Sequence, residues 1–119
     1  MDGGDVIKYI VMRKVDVYYG DVYAGRLSEL DKSGYEFVYD DAFLADNSMP
    51  AVSVNMPKSQ KVYYSDHIFP VFTNMLPEGG NRRALCRASK VDETDFFGML
   101  EMICGMDAIG GFVLKKSDK

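Results

Sequence analysis

The hydrophobic spacing of this 119-residue chain changes from two to 3.6 around Ser65, and that change limits the fold to a strand-rich half joined to a helical half. Before it, Val15, Val17 and Tyr19 alternate with Asp16 and Tyr18, and Val22, Ala24 and Leu27 follow the pair Gly20-Asp21. Alternation on both sides of a Gly-Asp pair predicts a hairpin, with Gly20 supplying the positive φ of a tight turn. Leu30-Asp-Lys-Ser-Gly34 reads as a second turn and Tyr35–Tyr39 as another strand, giving an antiparallel meander over 13–39. Asp40 is placed to cap a short helix that Asn47 and Pro50 close off. Ala51–Asn55 is expected to be a short strand and Lys58–Lys61 a polar loop, with Tyr63-Tyr64 ambiguous.

Beyond Ser65, residues Ile68, Phe69, Phe72, Met75 and Leu76 recur on one helical face. Ser65 or Asp66 would cap that helix, Pro70 is tolerated only in its first turn, and Pro77 ends it. Gly79-Gly80 makes a corner, after which Asn81 is expected to cap a second helix. Its Ala84, Leu85 and Ala88 would point inward and Arg82, Arg83 and Arg87 outward. Asp92 or Thr94 would cap a third helix carrying Phe96, Phe97, Met99, Leu100 and Ile103. Phe72, Leu76, Leu85, Phe96 and Leu100 are expected to hold the three helices together. Gly105 suits the left-handed position after the last helix. Gly110-Gly111 then lead into a returning strand, Phe112–Leu114. The expected fold class is therefore α+β, with an antiparallel hairpin or meander in the N-terminal half, a three-helix cluster and a returning strand. Residues 1–12 form an N-terminal extension, 13–114 one domain, and 115–119 a charged, frayed tail.

Composition narrows the function. A 47% hydrophobic chain of this length can bury roughly two-thirds of its unfolded surface, so a core needs no staples. Eight methionines read as core filler or as a re-packable surface. The net charge of −4 argues against direct nucleic-acid binding, which relies on clustered Lys and Arg. Cys86 and Cys104 lack CxxC spacing and read as reduced, buried thiols. Met1–Asp5 is acidic where a secretion signal would be basic, and Tyr9–Met12 is too short to span a bilayer. A cytoplasmic protein without membrane contact is expected.

Tests for chemistry return little. Neither GxxxxGK[ST] nor GxGxxG occurs, so Gly79-Gly80 is read as a tight corner before it is read as an anion site. Asp92, Glu93 and Asp95 are explained by a helix N-terminus. Ser65-Asp66-His67 is adjacency rather than triad geometry. A single histidine without Cys/His spacing gives no metal site, and no kinase catalytic loop or metal-binding DFG-like run is present. No catalytic residue, cofactor or metal is expected. What remains is a local excess of positive charge over 78–90, where Arg82, Arg83, Arg87 and Lys90 face only Glu78. These arginines are either solvated surface or partner contacts. Glu78, Arg82, Arg83 and Arg87 are the candidate partner-binding residues.

Several motifs together resemble the N-terminal region of HipA-type bacterial Ser/Thr kinase toxins. They are Ala24-Gly-Arg-Leu27, Phe37-Val-Tyr39, Ala42-Phe-Leu-Ala45 and Val52-Ser-Val-Asn-Met-Pro57. The most specific is Phe72-x-Asn-Met-Leu-Pro-Glu-Gly79, followed by Gly105-x-Asp107-x-x-Gly110-Gly111. The first turn is one residue longer than the family pattern, Asn55 replaces a small or apolar residue, and residues 1–12 have no counterpart. The resemblance implies a non-catalytic subunit similar to the small protein of HipBST-type toxin–antitoxin systems. Such a subunit binds and neutralises a HipA-like kinase core on a separate chain, with a helix-turn-helix HipB-like antitoxin as a further partner. The alternative it implies is an N-terminal structural subdomain of such a kinase, supporting its fold or activity.

Overall fold

The computed structural model describes residues 10–31, 34–105 and 111–117. Among these residues five strands form one antiparallel sheet in the order β4-β3-β2-β1-β5. β1 (Val11–Tyr19) and β2 (Val22–Leu30) make the expected hairpin, with Gly20 at φ 60°. β3 (Gly34–Tyr39) continues the meander, β4 (Val62–Ser65) settles Tyr63-Tyr64 as strand, and β5 (Phe112–Lys116) returns beside β1. The helices are α1 (Asp41–Ala45), α2 (Pro70–Thr73), α3 (Gly79–Ser89) and α4 (Phe96–Met102).

Alternation decides the faces. Val15, Val17, Leu27, Phe37 and Leu114 point to one side and pack with Phe43, Phe72, Phe97, Met99 and Leu100. Phe37 joins an aromatic cluster, with Tyr39 at 4.9 Å and Phe72 at 5.8 Å between ring centroids. Gly25 lets the sheet carry this load. A Cβ there would lie 2.3 Å from the Val38 carbonyl oxygen and 2.8 Å from the Phe37 ring. Only glycine fits. Asp40 caps α1 as expected, accepting from the Phe43 N–H at 3.2 Å.

Several expectations are corrected. Ala51–Asn55 is not a strand. Ser53 and Met56 form an isolated bridge around a turn, and the Ser53 hydroxyl accepts from the Asn55 N–H, the local bonding by which serine competes with a ladder. The helix foreseen from Ser65 is only α2. Pro70 takes its first position and Phe69 before it stays extended (φ −59°, ψ 133°), so neither Ser65 nor Asp66 caps it. Ile68 and Phe69 are nevertheless buried. α3 starts at Gly79, two residues before Asn81, because Glu78 is already extended and precedes a left-handed Gly79. Ala84 and Ala88 face solvent, and Cys86 is the buried side chain of that helix.

α4 is capped by Asp95, which accepts from the Gly98 N–H at 3.0 Å, while Asp92 closes the preceding turn through Thr94. Phe96 is 37% exposed, so Phe97 is the ring that fills the core. Ordered strand begins at Val11 and runs through Lys116, further at both ends than the sequence pattern indicated. The motif residues Asp107 and Gly110, most of the proposed extension 1–12, and Lys32-Ser33 of the second turn lie outside the described residues.

Candidate partner-binding surface

The 78–90 corner is built by Pro77, which ends the preceding turn, and by the left-handed Gly79 that opens α3. The four candidate residues do not share one environment. Arg82 folds back: its Nε donates to the Pro77 carbonyl at 3.0 Å and its guanidinium lies 5.4 Å from the Phe96 ring. That makes Arg82 the brace of the corner. Its partly buried stem corrects the expectation of an outward-facing residue. Glu78, Arg83 and Arg87 are exposed.

Arg83 and Arg87 border a shallow depression of about 330 Å³ whose far side is Asp92 and Glu93. The positive excess read from 78–90 is therefore faced by two carboxylates from the next loop. The result is a dipolar groove rather than a cationic patch.

The strongest polar assembly was not foreseen. Arg13 on β1 makes two hydrogen bonds to Glu29 of β2 at 2.6 and 2.8 Å. It makes two more to Asp95, the α4 cap, at 2.9 and 2.8 Å. Glu101 lies 3.8 Å away, and the guanidinium stands 5.4 Å from the Phe97 ring, which stacks with Tyr35. The two carboxylates hold the Arg13 proton firmly, and Arg13 in turn keeps Asp95 below its ordinary carboxylate value. Arg13 opposes Glu29 in the hairpin register, a cross-strand pairing legible in sequence, but the link to Asp95 spans 82 residues and is not. This clamp is structural.

Tyr39 does similar work inside. Its hydroxyl donates to the Met56 carbonyl at 2.5 Å and accepts from the Val52 N–H at 2.9 Å, tying the 52–56 turn to β3.

Other candidates are dispersed. His67 is exposed, and its N–H donates to the Ser65 hydroxyl within a bend. Both cysteines are free thiols. Burial raises both, Cys104 to about 11, so neither is poised as a thiolate. Among the described residues no group of three or more His, Cys, Asp or Glu side chains converges as a metal site, and no helix is long and apolar enough to cross a membrane.

Comparison with known proteins places this geometry. The sequence model described as "HipA N-terminal domain" matches residues 15–115. An uncharacterised protein of Haemophilus influenzae is 32% identical over 82 residues, covering 69% of this chain and 72% of its own. The Sinorhizobium fredii protein named "Putative kinase Y4mE" is 24% identical over 110 residues. That alignment covers 92% of this chain but only 26% of the relative. The solved structure titled "N-terminal domain of HipA toxin" superposes with a TM-score of 0.65 at 23% identity, over 92% of this chain and 97% of that one.

Proposed function

Since the chain belongs to the HipA N-terminal domain family, we propose that it is a non-catalytic regulatory subunit that binds a HipA-type Ser/Thr kinase core on a separate chain and restrains it as an antitoxin. The observation that carries this reading is the family match over 15–115, which extends through every element from the first hairpin to the returning strand. On this reading the chain itself transfers no phosphoryl group. Its contribution is a binding surface rather than chemistry; at the corner that Arg82 holds, Glu78, Arg83 and Arg87 are exposed. A helix-turn-helix subunit is a further partner in the same assembly.

The Sinorhizobium relative supports a second reading. There the matching region is about a quarter of a longer chain, in keeping with a domain that supports the kinase rather than inhibits it. The two readings differ in sign. The test is autophosphorylation of the purified HipA-type kinase core from the same genome, with and without this protein. A fall in phosphorylation supports the antitoxin reading, a rise supports the second, and no stable complex by size exclusion defeats both.

A further inference from the structure

The side of the sheet turned away from the core carries a feature the corner lacks. Register places Lys14, Ser28, Glu36 and Tyr64 in one row across β1 to β4. Asp16 and Arg26 stand in the next row, paired at 2.9 Å. A concavity of about 390 Å³ opens here, with Val11, Lys14, Tyr23, Ser28, Glu36 and Val38 among its lining. At its floor the Ser28 side chain belongs to a residue only 4% exposed, and its hydroxyl has no hydrogen-bond partner among the described residues. Buried polar groups are ordinarily satisfied, so an unpaired one facing a cavity marks a place where a partner group fits.

The charges beside it sharpen this. Arg26 is neutralised by Asp16, and Lys61 by Asp41 at 2.8 Å. Lys14 and Glu36, one on each side of Ser28, have no ion-pair partner among the described residues. The row therefore offers a cation, a hydroxyl and an anion in sequence across about 10 Å, two interstrand spacings. Val11, 44% exposed, adds apolar rim.

We infer that this outer sheet face is the surface that receives the kinase core, through a protruding element that sets an acid against Lys14, a base against Glu36 and a hydrogen-bonding group on Ser28. The inference rests on the kinase-binding reading above and names the surface it uses. It is independent of the arginine corner, where Asp92 and Glu93 already face Arg83 and Arg87. Charge order gives the contact its register, because a partner displaced by two strands sets its acid against Glu36.

The experiment measures affinity for the purified kinase core by calorimetry, using the parent chain and three variants. Lys14→Glu/Glu36→Lys reverses the row at two half-buried side chains, Ser28→Arg fills the concavity, and Arg83→Glu/Arg87→Glu reverses the corner. Circular dichroism checks that each is folded. The expected result is a loss of at least tenfold for the row reversal and for a folded Ser28→Arg, with less than threefold for the corner variant. If the parent binds and the row reversal binds equally well, the outer face is not the interface while the kinase-binding reading stands. If the parent does not bind, both fall. Should Ser28→Arg fail to fold, the row reversal alone decides.

Discussion

Arg13 and Asp95, separated by 82 residues, are joined by two hydrogen bonds of 2.8 and 2.9 Å, and the same carboxylate caps α4. The aspartate thus fixes the helix start and ties it to the first hairpin. Both side chains are about one-third exposed (32% and 34%), so solvent weakens the pair. A double-mutant cycle with Arg13→Met and Asp95→Asn should show a coupling of about 1 kcal/mol in urea unfolding, within the range for residues sharing one network. A coupling near zero would show that the contact contributes nothing.

The same pair sets an acid response. Arg13 depresses the Asp95 carboxyl, so its stabilisation is complete above the ordinary carboxylate range and is lost as pH falls through the folded-state value. Arg13→Met should move the acid-unfolding midpoint to higher pH, read by circular dichroism. An unmoved midpoint rejects the linkage.

Tyr39→Phe removes one hydroxyl and strands two buried main-chain groups, the Met56 carbonyl and the Val52 N–H. A loss of about 1–3 kcal/mol is expected for such unsatisfied groups. Amide exchange at Val52 should accelerate more than exchange in β1. Equal acceleration at both sites would mean that the 52–56 turn is held by something else.

Phe72 and Phe96 separate core from rim. Phe72→Ala should lower stability by about 3–5 kcal/mol, as for a buried ring. Phe96→Ala should lower it by about 1 kcal/mol or less, since Phe96 is 37% exposed and its ring stands beside the Arg82 guanidinium. Denaturant midpoints that rank the two the other way would overturn the assignment of α4's inner face.

Nucleotide affinity checks the proposed non-catalytic role. Calorimetry with MgATP on the purified chain should give no heat of binding. A micromolar dissociation constant would contradict it.

The strands were legible because period-two patterns survive in any antiparallel sheet with one covered face: Val15, Val17, Leu27 and Phe37 announce their side without knowledge of partners. Helix boundaries were less so. Ile68 and Phe69 have helical spacing and are buried, yet they lie before α2 and outside any helix, because burial needs an inward direction and not a helix. The caps failed where several polar residues competed. Among Asp92, Thr94 and Asp95 only the last also reaches Arg13, and that choice is made by the sheet rather than by the local sequence. The arginine corner illustrates the same limit. Arg82, Arg83 and Arg87 are alike in sequence, while Phe96 claims one of them and Asp92 and Glu93 sit across from the others.

The strand order has a consequence for synthesis. β1 lies between β2 and β5, so it receives its second neighbour only when Phe112–Lys116 arrive, about a hundred residues later. Until then a growing chain has an open β1 edge and an uncovered core margin at Val17 and Tyr19, where Leu114 and Phe112 belong. The interval between making β1 and making β5 is the period in which a nascent chain is most open to wrong strand pairing. A chain truncated before Phe112 should therefore aggregate more readily than one that includes Phe112–Lys116, a difference that turbidity of the two would show.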